Sequence, residues 1–289
     1  AIHLATPAKV AVAPAMNQAM WGHKATSANI EALQQRGVSI IDPDNGIQAC
    51  GDVGPGRMQQ PEAIAAMAGE LFNRGTLAGK KVVITAGPTR EALDPVRYIS
   101  NHSSGKMGFS MAAAAIDAGA EVTIVCGPVS LPMPERCDVI SVVSAADMLE
   151  ASLASAADAD IFIAAAAVAD YRASTVAKQK IKKQDDSMTI SLERNPDIVS
   201  AVVQANPTVF VLGFAAETQD VETYARDKLQ RKNLGAIIAN DVSRTDVGFN
   251  ADENEVIWID RTSSVVFSKR SKAQLARDII EHLAKGLPN

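Results

Sequence analysis

The 289-residue chain contains little cysteine, few aromatic residues and no hydrophobic run as long as a membrane span. The three cysteines, Cys50, Cys126 and Cys137, form no C-x-x-C pair, and their odd number argues against a disulfide scaffold. Sparse, unpaired cysteines are typical of a reducing compartment. No charged segment followed by an apolar run marks a signal peptide. These absences predict a cytoplasmic protein without membrane segments.

Aromatic residues make up 4% of the sequence, whereas hydrophobic residues as a whole make up 47%. The core is therefore built mainly from alanine, valine, isoleucine and leucine, which suits parallel strands buried on both faces. The formal net charge is −5, which disfavours a protein that binds nucleic acid non-specifically. The composition indicates an α/β protein.

The order of strand-like and helix-like segments divides the chain in two. A short polar linker at residues 73–80 separates the halves, and we place the boundary near Leu77, which gives domains 1–76 and 77–289. Strands alternate with helices in the second domain, which predicts a Rossmann-like, doubly wound parallel sheet. The chain begins at Ala1 and soon enters a strand, so we expect residues 1–76 to be the remnant of a truncated α/β domain.

One stretch of the second domain, residues 82–108, is more polar than a turn requires. An apolar run breaks at Gly87-Pro88, and a long loop containing Asn101 then leads into a helical pattern. A strand that delivers such a loop to a helix start makes an anion site, because the first helical N–H groups have no partner within the helix. Neither a P-loop nor a G-x-G-x-x-G fingerprint is present. A helix cap after a long loop is therefore the alternative interpretation.

A second candidate site follows a later strand. Four alanines, Ala164–Ala167, precede Asp170 at the predicted carboxyl end of that strand, which is where open α/β sheets place ligands. The alternative is that these small residues pack under a crossing helix. A lysine-rich run at residues 178–183 comes next, although such runs are most often solvated surface. Phe214 could either stack on a base or end a core strand.

The sequence of residues 87–108, GPTREALDPVRYISNHSSGKMG, resembles the signature of the phosphopantothenate–cysteine ligases of coenzyme A biosynthesis. In many bacteria such a ligase is the C-terminal half of a bifunctional protein whose N-terminal half is the flavoprotein phosphopantothenoylcysteine decarboxylase. The resemblance implies that 4'-phosphopantothenate and L-cysteine are joined through an acyl-cytidylate formed from CTP, with Mg²⁺. It also implies a homodimer, and a higher homo-oligomer for the full-length protein.

The resemblance gives roles to the matching residues of the second domain. Asn101 would hold the acyl-nucleotidyl intermediate and its carbonyl, and Lys180 would stabilise phosphate charge during the reaction. Arg97 is a candidate for binding the phosphate of phosphopantothenate, and the metal ligands are not assigned. The residues implied in nucleotide binding are Ala164, Ala165, Ala166, Asp170, Lys180, Pro196, Asp197, Ile198, Val199, Phe214, Lys228 and Lys232.

Two motifs of the first domain resemble the decarboxylase. Asn17 would hold the substrate carboxylate, and Cys50 would return a proton to the enethiol intermediate. A loop asparagine and a small buried residue are the alternative interpretations. The glycine-rich segment 48–58 around Cys50 is expected to be irregular. The family's catalytic histidine and most of its FMN-binding loops lie upstream of Ala1, so we expect FMN only in the full-length protein and no decarboxylation by this chain.

Two other classes of function stay open. An NAD(P)-dependent or flavin-binding oxidoreductase or decarboxylase would use the same kind of sheet. The missing G-x-G-x-x-G fingerprint and the extra lysines disfavour the oxidoreductase. The first domain alone could also serve as a non-enzymatic assembly module.

Overall fold

The computed structural model describes residue 6 and residues 8–48, 51–73, 75–182, 187–217, 219–241 and 252–287. The chain divides into two compact units, Ala1–Gly75 and Thr76–Asn289. Within these described ranges, no helix has the length and apolar character needed to cross a bilayer.

The first unit combines short strands with helices. Strand β1 pairs in parallel with β2, and β3 pairs antiparallel with β4. In chain order the elements are β1 (Ala11–Val12), α1 (Gln18–Trp21), α2 (Lys24–Gln35), β2 (Ser39–Ile40), β3 (Asp44–Ile47), β4 (Val53–Arg57) and α3 (Pro61–Asn73).

The glycine-rich segment after β3 is more regular than the sequence suggests. Gly54 of β4 lies opposite Gly46 of β3 in an antiparallel hairpin. A Cβ atom on Gly54 would lie 2.0 Å from the side chain of Gln18, so the missing side chain lets the hairpin lie against α1. The prediction that residues 48–58 are irregular is therefore wrong for residues 53–57, where glycine serves close packing.

The second unit is organised around an eight-stranded sheet of described residues with the order β16-β15-β14-β13-β10-β5-β8-β9. Two small antiparallel strand pairs, β6–β7 and β11–β12, stand apart from it. The elements are β5 (Lys81–Ala86), β6 (Arg90–Ala92), β7 (Tyr98–Ser100), α4 (Lys106–Asp117), β8 (Glu121–Cys126), β9 (Asp138–Ser141), α5 (Ala145–Ala156), β10 (Ile161–Ala164), β11 (Tyr171–Ala173), β12 (Leu192–Arg194), α6 (Ile198–Ala205), β13 (Phe210–Glu217), α7 (Val221–Arg231), β14 (Ala236–Asp241), β15 (Glu253–Asp260), β16 (Ser264–Ser271) and α8 (Lys272–Gly286).

Both faces of the central strands are buried, which explains their nearly continuous apolar sequence. In β5, Ile84 belongs to the core cluster that contains Met111 of α4. Its neighbour Val83 belongs to the opposite cluster, with Met148 of α5 and Val202 of α6. The prediction of a doubly wound α/β sheet is confirmed, with β15 and β16 as an antiparallel extension at one edge.

The strand order contains one reversal, and it positions the site. The strands from β14 to β9 pair in parallel. The chain starts this sheet at β5, adds β8 and β9 on one side, and then returns to add β10, β13 and β14 on the other. Open α/β sheets bind ligands outside the carboxyl ends of their strands at such a reversal. The fold therefore predicts a ligand site at the carboxyl ends of β5 and β10.

Gly127, directly after β8, holds the loop that leaves β5. A Cβ atom on Gly127 would lie 1.9 Å from the carbonyl oxygen of Pro88, and backbone cannot yield as a flexible side chain can. We expect Gly127→Ala to lower the free energy of unfolding by about 1–3 kcal/mol through overpacking, measured by thermal or denaturant unfolding. Gly69 of α3 has no atom within 4 Å of a built Cβ, so Gly69→Ala is the control. Equal stability of the two variants would contradict this packing.

Candidate active site

A cleft of about 530 Å³ lies at the carboxyl ends of β5, β10 and β13, where the strand order reverses. We call it the first cleft. Its floor is formed by small residues and its rim by charged ones. The lining residues are Thr85, Phe162, Ala164, Ala166, Val168, Ala169, Asp170, Tyr171, Arg194, Asn195, Pro196, Asp197, Ile198, Val199, Gly213, Phe214, Lys228, Arg231, Lys232 and Leu234.

The floor is held in place by the loop after β5. Backbone N–H groups of the alanine run donate to the hydroxyls of two threonines: Ala166 to Thr85 at 3.3 Å and Ala169 to Thr89 at 3.0 Å. The backbone of Ala167 also exchanges hydrogen bonds with Gly87 and Thr89. Side chains no larger than methyl groups leave room for a flat ring to lie against this backbone.

One wall of the first cleft is an ion pair at a helix start. Asp197 caps α6, where it accepts hydrogen bonds from the N–H and the hydroxyl of Ser200 at 3.1 and 2.9 Å. Lys232, whose side chain is 18% exposed, lies 2.7 Å from the Asp197 carboxylate. Burial opposes ionisation of Asp197, but the hydrogen bonds from Lys232 and Ser200 outweigh it and hold the pKa of this carboxyl below its usual value. Lys232 is thus fixed at the rim by a carboxylate that stays charged.

A second cleft of about 500 Å³ adjoins the first. It contains the start of α4, whose N-cap residue Gly105 makes no side-chain capping bond. An α-helix start carries partial positive charge, which favours anions. The lining residues are Asn101, His102, Ser103, Ser104, Gly105, Lys106, Met107, Gly108, Ala165, Ala166, Ala167, Val168, Phe214, Ala215, Ala216, Lys228, Asn240, Asn254 and Lys272.

The second cleft concentrates positive charge around a buried lysine. Lys272, at the first turn of α8, is only 6% exposed. Burial, together with the charge of Lys106, lowers the pKa of Lys272 below the ordinary lysine value. Lys106 itself lies 2.7 Å from the exposed carboxylate of Asp252. A phosphate group placed here would meet two lysines and a helix start.

The two clefts share one wall, formed by Ala166, Val168, Phe214 and Lys228. Lys228 reaches back from α7 to the carbonyl oxygen of Phe214 at 3.4 Å. Asn101 lies in the second cleft, with its Nδ2 donating to the carbonyl oxygen of Val168 at 2.9 Å. Asn101 and Lys228 therefore both line the second cleft, whereas Lys180, the lysine expected to act with Asn101, lines neither cleft.

Most of the residues with an expected nucleotide role line the first cleft, and the others lie elsewhere. Ala165 lines the second cleft, whereas Lys180 and Arg97 line neither. Arg97 pairs with Asp94 at 2.7 Å, so its guanidinium already has a carboxylate partner. The residues in the first cleft are Ala164, Ala166, Asp170, Pro196, Asp197, Ile198, Val199, Phe214, Lys228 and Lys232.

The two residues expected to act in decarboxylation belong to the first unit. Cys50 lies outside the described residues. Asn17 caps α1 through its Oδ1, which accepts from the N–H of Ala19 at 2.8 Å, and its Nδ2 donates to Asp52 at 3.0 Å. The Asn17 side chain is thus oriented by contacts within the first unit.

Several polar residues of the clefts are not predicted from the sequence. Lys106, Asn240, Asn254 and Lys272 were not assigned to a site, although Asn240 follows the rule that ligands meet strands at their carboxyl ends. Among the described residues, the Oδ1 atoms of Asn240 and Asn195 are buried without a hydrogen-bond partner, which is uncommon in folded proteins. No comparable pattern in the sequence singles out Lys272.

No group of three or more histidine, cysteine, aspartate or glutamate side chains suited to a metal ion occurs among the described residues. Asp170 is an exposed carboxylate on the rim of the first cleft. Magnesium is commonly bound through one or two carboxylates together with substrate phosphates. Asp170 fits that arrangement.

The strand order and the cleft at its reversal define the second unit as a doubly wound, Rossmann-like α/β domain. A model of the family described as DNA/pantothenate metabolism flavoprotein C-terminal domain matches residues 77–287, and a Flavoprotein model matches residues 2–72. The chain belongs to the CoaBC family of coenzyme A biosynthesis proteins.

Individual relatives support the same assignment. The coenzyme A biosynthesis bifunctional protein CoaBC of Vibrio vulnificus is 52% identical over 285 residues, which cover 97% of this chain and 71% of the relative. The Escherichia coli CoaBC is 55% identical over 266 residues, which cover 90% and 66%. A crystal structure of the C-terminal domain of a CoaBC superposes with a TM-score of 0.63 at 38% identity, covering 73% of this chain and 97% of that one. Flavoprotein sequence thus precedes the ligase-type domain, as expected from the resemblance.

Proposed function

We propose that the second unit is a phosphopantothenate–cysteine ligase that activates 4'-phosphopantothenate with CTP. The observation that carries the proposal is the shared wall of the two clefts, where Lys228 and Phe214 border both. Two substrates held in adjoining clefts can bring a carboxylate and a phosphorus atom into contact. Such pre-orientation replaces a costly encounter in solution.

The chemistry explains why the clefts are lined with lysines. A carboxylate oxygen of phosphopantothenate attacks the α-phosphorus of CTP, and pyrophosphate leaves with the electrons of the broken P–O bond. The amine of cysteine then attacks the acyl carbon, loses a proton, and cytidine monophosphate leaves as the amide forms. The first step gathers several negative charges, whereas a helix start contributes only about 0.3–1 kcal/mol for an anion. Lysines that point at the developing charge are therefore required.

The floor of the first cleft suits the base of the nucleotide, and its cationic rim suits the phosphates. We place the base against Ala164 and Ala166 and the phosphates near Lys228 and Lys232. Magnesium would be held by Asp170 with the triphosphate oxygens, and when bound it would supply charge neutralisation. The residues of the shared wall would bind and orient the carboxylate of phosphopantothenate.

The test is pyrophosphate release by the purified chain. With CTP, Mg²⁺, phosphopantothenate and cysteine we expect pyrophosphate and phosphopantothenoylcysteine in equal amounts, and much less of either with ATP in place of CTP. Release that does not require phosphopantothenate would point to simple nucleotide hydrolysis. No product under any of these conditions would contradict the ligase assignment.

Lys272 is proposed to bind the phosphate of phosphopantothenate. Replacing Lys272 with methionine keeps the length of the side chain and removes its charge. We expect KM for phosphopantothenate to rise about 10- to 100-fold, which corresponds to one charge-assisted hydrogen bond of about 1.5–3 kcal/mol, while KM for CTP changes little. Steady-state kinetics measure both.

A matched control for that variant lies on the neighbouring strand. Lys269 of β16 pairs with Glu253 at 3.6 Å, and its side chain is 38% exposed. Lys269→Met should leave both KM values unchanged. An unchanged KM for phosphopantothenate in Lys272→Met would show that the phosphate binds elsewhere.

A homodimer is proposed for the second unit. Its two small strand pairs and the chain beside them expose large apolar side chains: Val96 is 59% exposed, Tyr98 50%, Val176 52% and Leu192 47%. Clustered exposed apolar residues are typical of interaction surfaces. Light scattering should give twice the chain mass, and Val96→Asp with Tyr98→Asp should give a monomer. A monomeric parent protein would contradict the proposal.

The Flavoprotein match supports a second candidate function, decarboxylation of the ligase product with FMN. When bound, FMN would supply the redox chemistry of that reaction. A preparation with visible flavin absorbance that releases carbon dioxide from phosphopantothenoylcysteine would establish the activity in this chain. The expectation that this chain alone does not decarboxylate stays a prediction that the same assay decides.

A further inference from the structure

A buried carboxylate outside both clefts organises the segment that carries Lys180. The side chain of Asp94 has no exposed surface. Its Oδ1 accepts hydrogen bonds from the N–H groups of Val96 and Arg97, each at 2.8 Å. Its Oδ2 accepts from the Nε and NH2 groups of Arg97 at 3.0 and 2.7 Å. Asp94 therefore fixes both the turn after β6 and the Arg97 side chain.

The side chains of Asp94 and Arg97 also hydrogen-bond to the backbone of Ile181, the residue that follows Lys180. The N–H of Ile181 donates to Asp94 Oδ2 at 3.1 Å, and the carbonyl oxygen of Ile181 accepts from the Arg97 NH2 group at 2.8 Å. Both backbone groups of Ile181 are thus held by one ion pair. Contacts of this kind across more than eighty residues of sequence are not local turn geometry.

A second anchor lies a few residues earlier. The N–H of Ala177 donates to the carbonyl oxygen of Leu93 at 3.0 Å, next to Asp94 in the chain. Residues 178–180 therefore bridge two fixed points, and the exposed side chain of Lys180 projects from a backbone that is tied down on both sides.

The charge on Asp94 persists over a wide range of pH. Burial opposes its ionisation, but hydrogen bonds from the Arg97 side chain and from the backbone N–H groups of Val96, Ile181 and Arg97 hold the pKa of this carboxyl well below its usual range. Asp94 is therefore ionised at neutral pH, as its ion pair with Arg97 requires.

We infer that Asp94 and Arg97 are positioning residues that hold Lys180 in place for phosphate-charge stabilisation. The inference rests on the proposed ligase function and on the catalytic role of Lys180 that the family resemblance implies. A lysine side chain is flexible, so fixing its backbone is a means of limiting where the ammonium can go. It gives Arg97 a different role from the phosphate-binding one that the resemblance suggests.

A double-mutant cycle with Arg97→Ala and Lys180→Gln tests the inference. In the parent protein we expect Arg97→Ala to slow pyrophosphate release by about 10- to 100-fold, the range for a misplaced catalytic group. In the Lys180→Gln protein, the same change should cost no more than about two-fold, because the group that Arg97 positions is already gone. KM for phosphopantothenate should be the same in the parent and in Arg97→Ala.

Controls separate positioning from loss of structure. Arg226 has the same 40% side-chain exposure as Arg97 and pairs with Glu222, so Arg226→Ala should leave the rate unchanged. Thermal unfolding is measured for every variant. If Arg97→Ala fails to fold, Arg97→Met, which keeps much of the side-chain length but cannot donate to Ile181, takes its place in the cycle with the same expected coupling.

Other results would overturn either the positioning role of Arg97 or the ligase proposal. Losses that multiply in the double variant, or a raised KM for phosphopantothenate in Arg97→Ala, would overturn the inference and favour direct phosphate binding by Arg97. Full activity of Lys180→Gln would overturn it as well. A parent protein that releases no pyrophosphate would overturn the ligase proposal itself and the inference with it.

Discussion

Replacing Asn101 with alanine is expected to slow amide formation by about 10²–10³-fold, the usual effect of losing one oxyanion donor. The Asn101 side chain lies in the second cleft, and its amide is oriented by a 2.9 Å hydrogen bond to the carbonyl oxygen of Val168 on the shared wall. The second N–H of the same group can then donate to the acyl oxygen when the cysteine amine attacks. Negative charge appears on that oxygen only during the attack, so the donor acts on the second step.

The prediction distinguishes the two half-reactions. In a rapid-quench experiment, Asn101→Ala should release a first equivalent of pyrophosphate at a rate closer to that of the parent protein, while amide product lags and the acyl-nucleotidylate accumulates. Asn45→Ala, at an exposed position of the first unit, is the control and should behave as the parent. Equal slowing of both steps would contradict an oxyanion role for Asn101.

Replacing Lys180 with glutamine is expected to reduce pyrophosphate release by about 10²–10³-fold, because a positive charge is lost where negative charge develops. Lys180 is exposed and lines neither cleft, so its ammonium must approach the nucleotide when substrates are bound. The loss should therefore appear in kcat, with little change in KM for CTP. Steady-state kinetics separate the two constants.

Lys178 provides a close control, since it is an exposed lysine in the same segment. Lys178→Gln should keep nearly full activity with unchanged thermal stability. If Lys178→Gln and Lys180→Gln lose activity equally, the run acts as a general positive surface and Lys180 has no special role. Full activity of Lys180→Gln would remove it from the mechanism.

Most of the fold could be predicted from local sequence patterns. The apolar β-branched run at residues 82–85 and the alanine-rich strand after Asp160 predict buried parallel strands, because only a sheet covered on both faces accepts such sequences. The glycine-rich hairpin of β3 and β4 was missed because its regularity comes from packing against Gln18, which no local pattern reports.

Some residues of the candidate site could likewise be predicted from the sequence, and others could not. Ala164, Asp170 and Asn101 follow strands or precede a helix, so their placement at the sheet edge could be argued from the sequence. Lys272 reaches the second cleft only because the antiparallel strands β15 and β16 bring the start of α8 beside Lys106. The contacts of Arg97 could not be argued from the sequence either, since its partner Asp94 and the distant Ile181 determine where the guanidinium points.

The proposed ligase activates the carboxylate of phosphopantothenate by letting it attack the α-phosphorus of CTP beside the shared wall of the two clefts. Phosphopantothenate labelled with oxygen-18 in its carboxylate tests this directly, with mass spectrometry of the nucleotide product. We predict one labelled oxygen in each cytidine monophosphate, because the attacking oxygen stays on phosphorus when cysteine displaces the nucleotide. Label in inorganic phosphate, or unlabelled cytidine monophosphate formed together with the amide, would contradict the account.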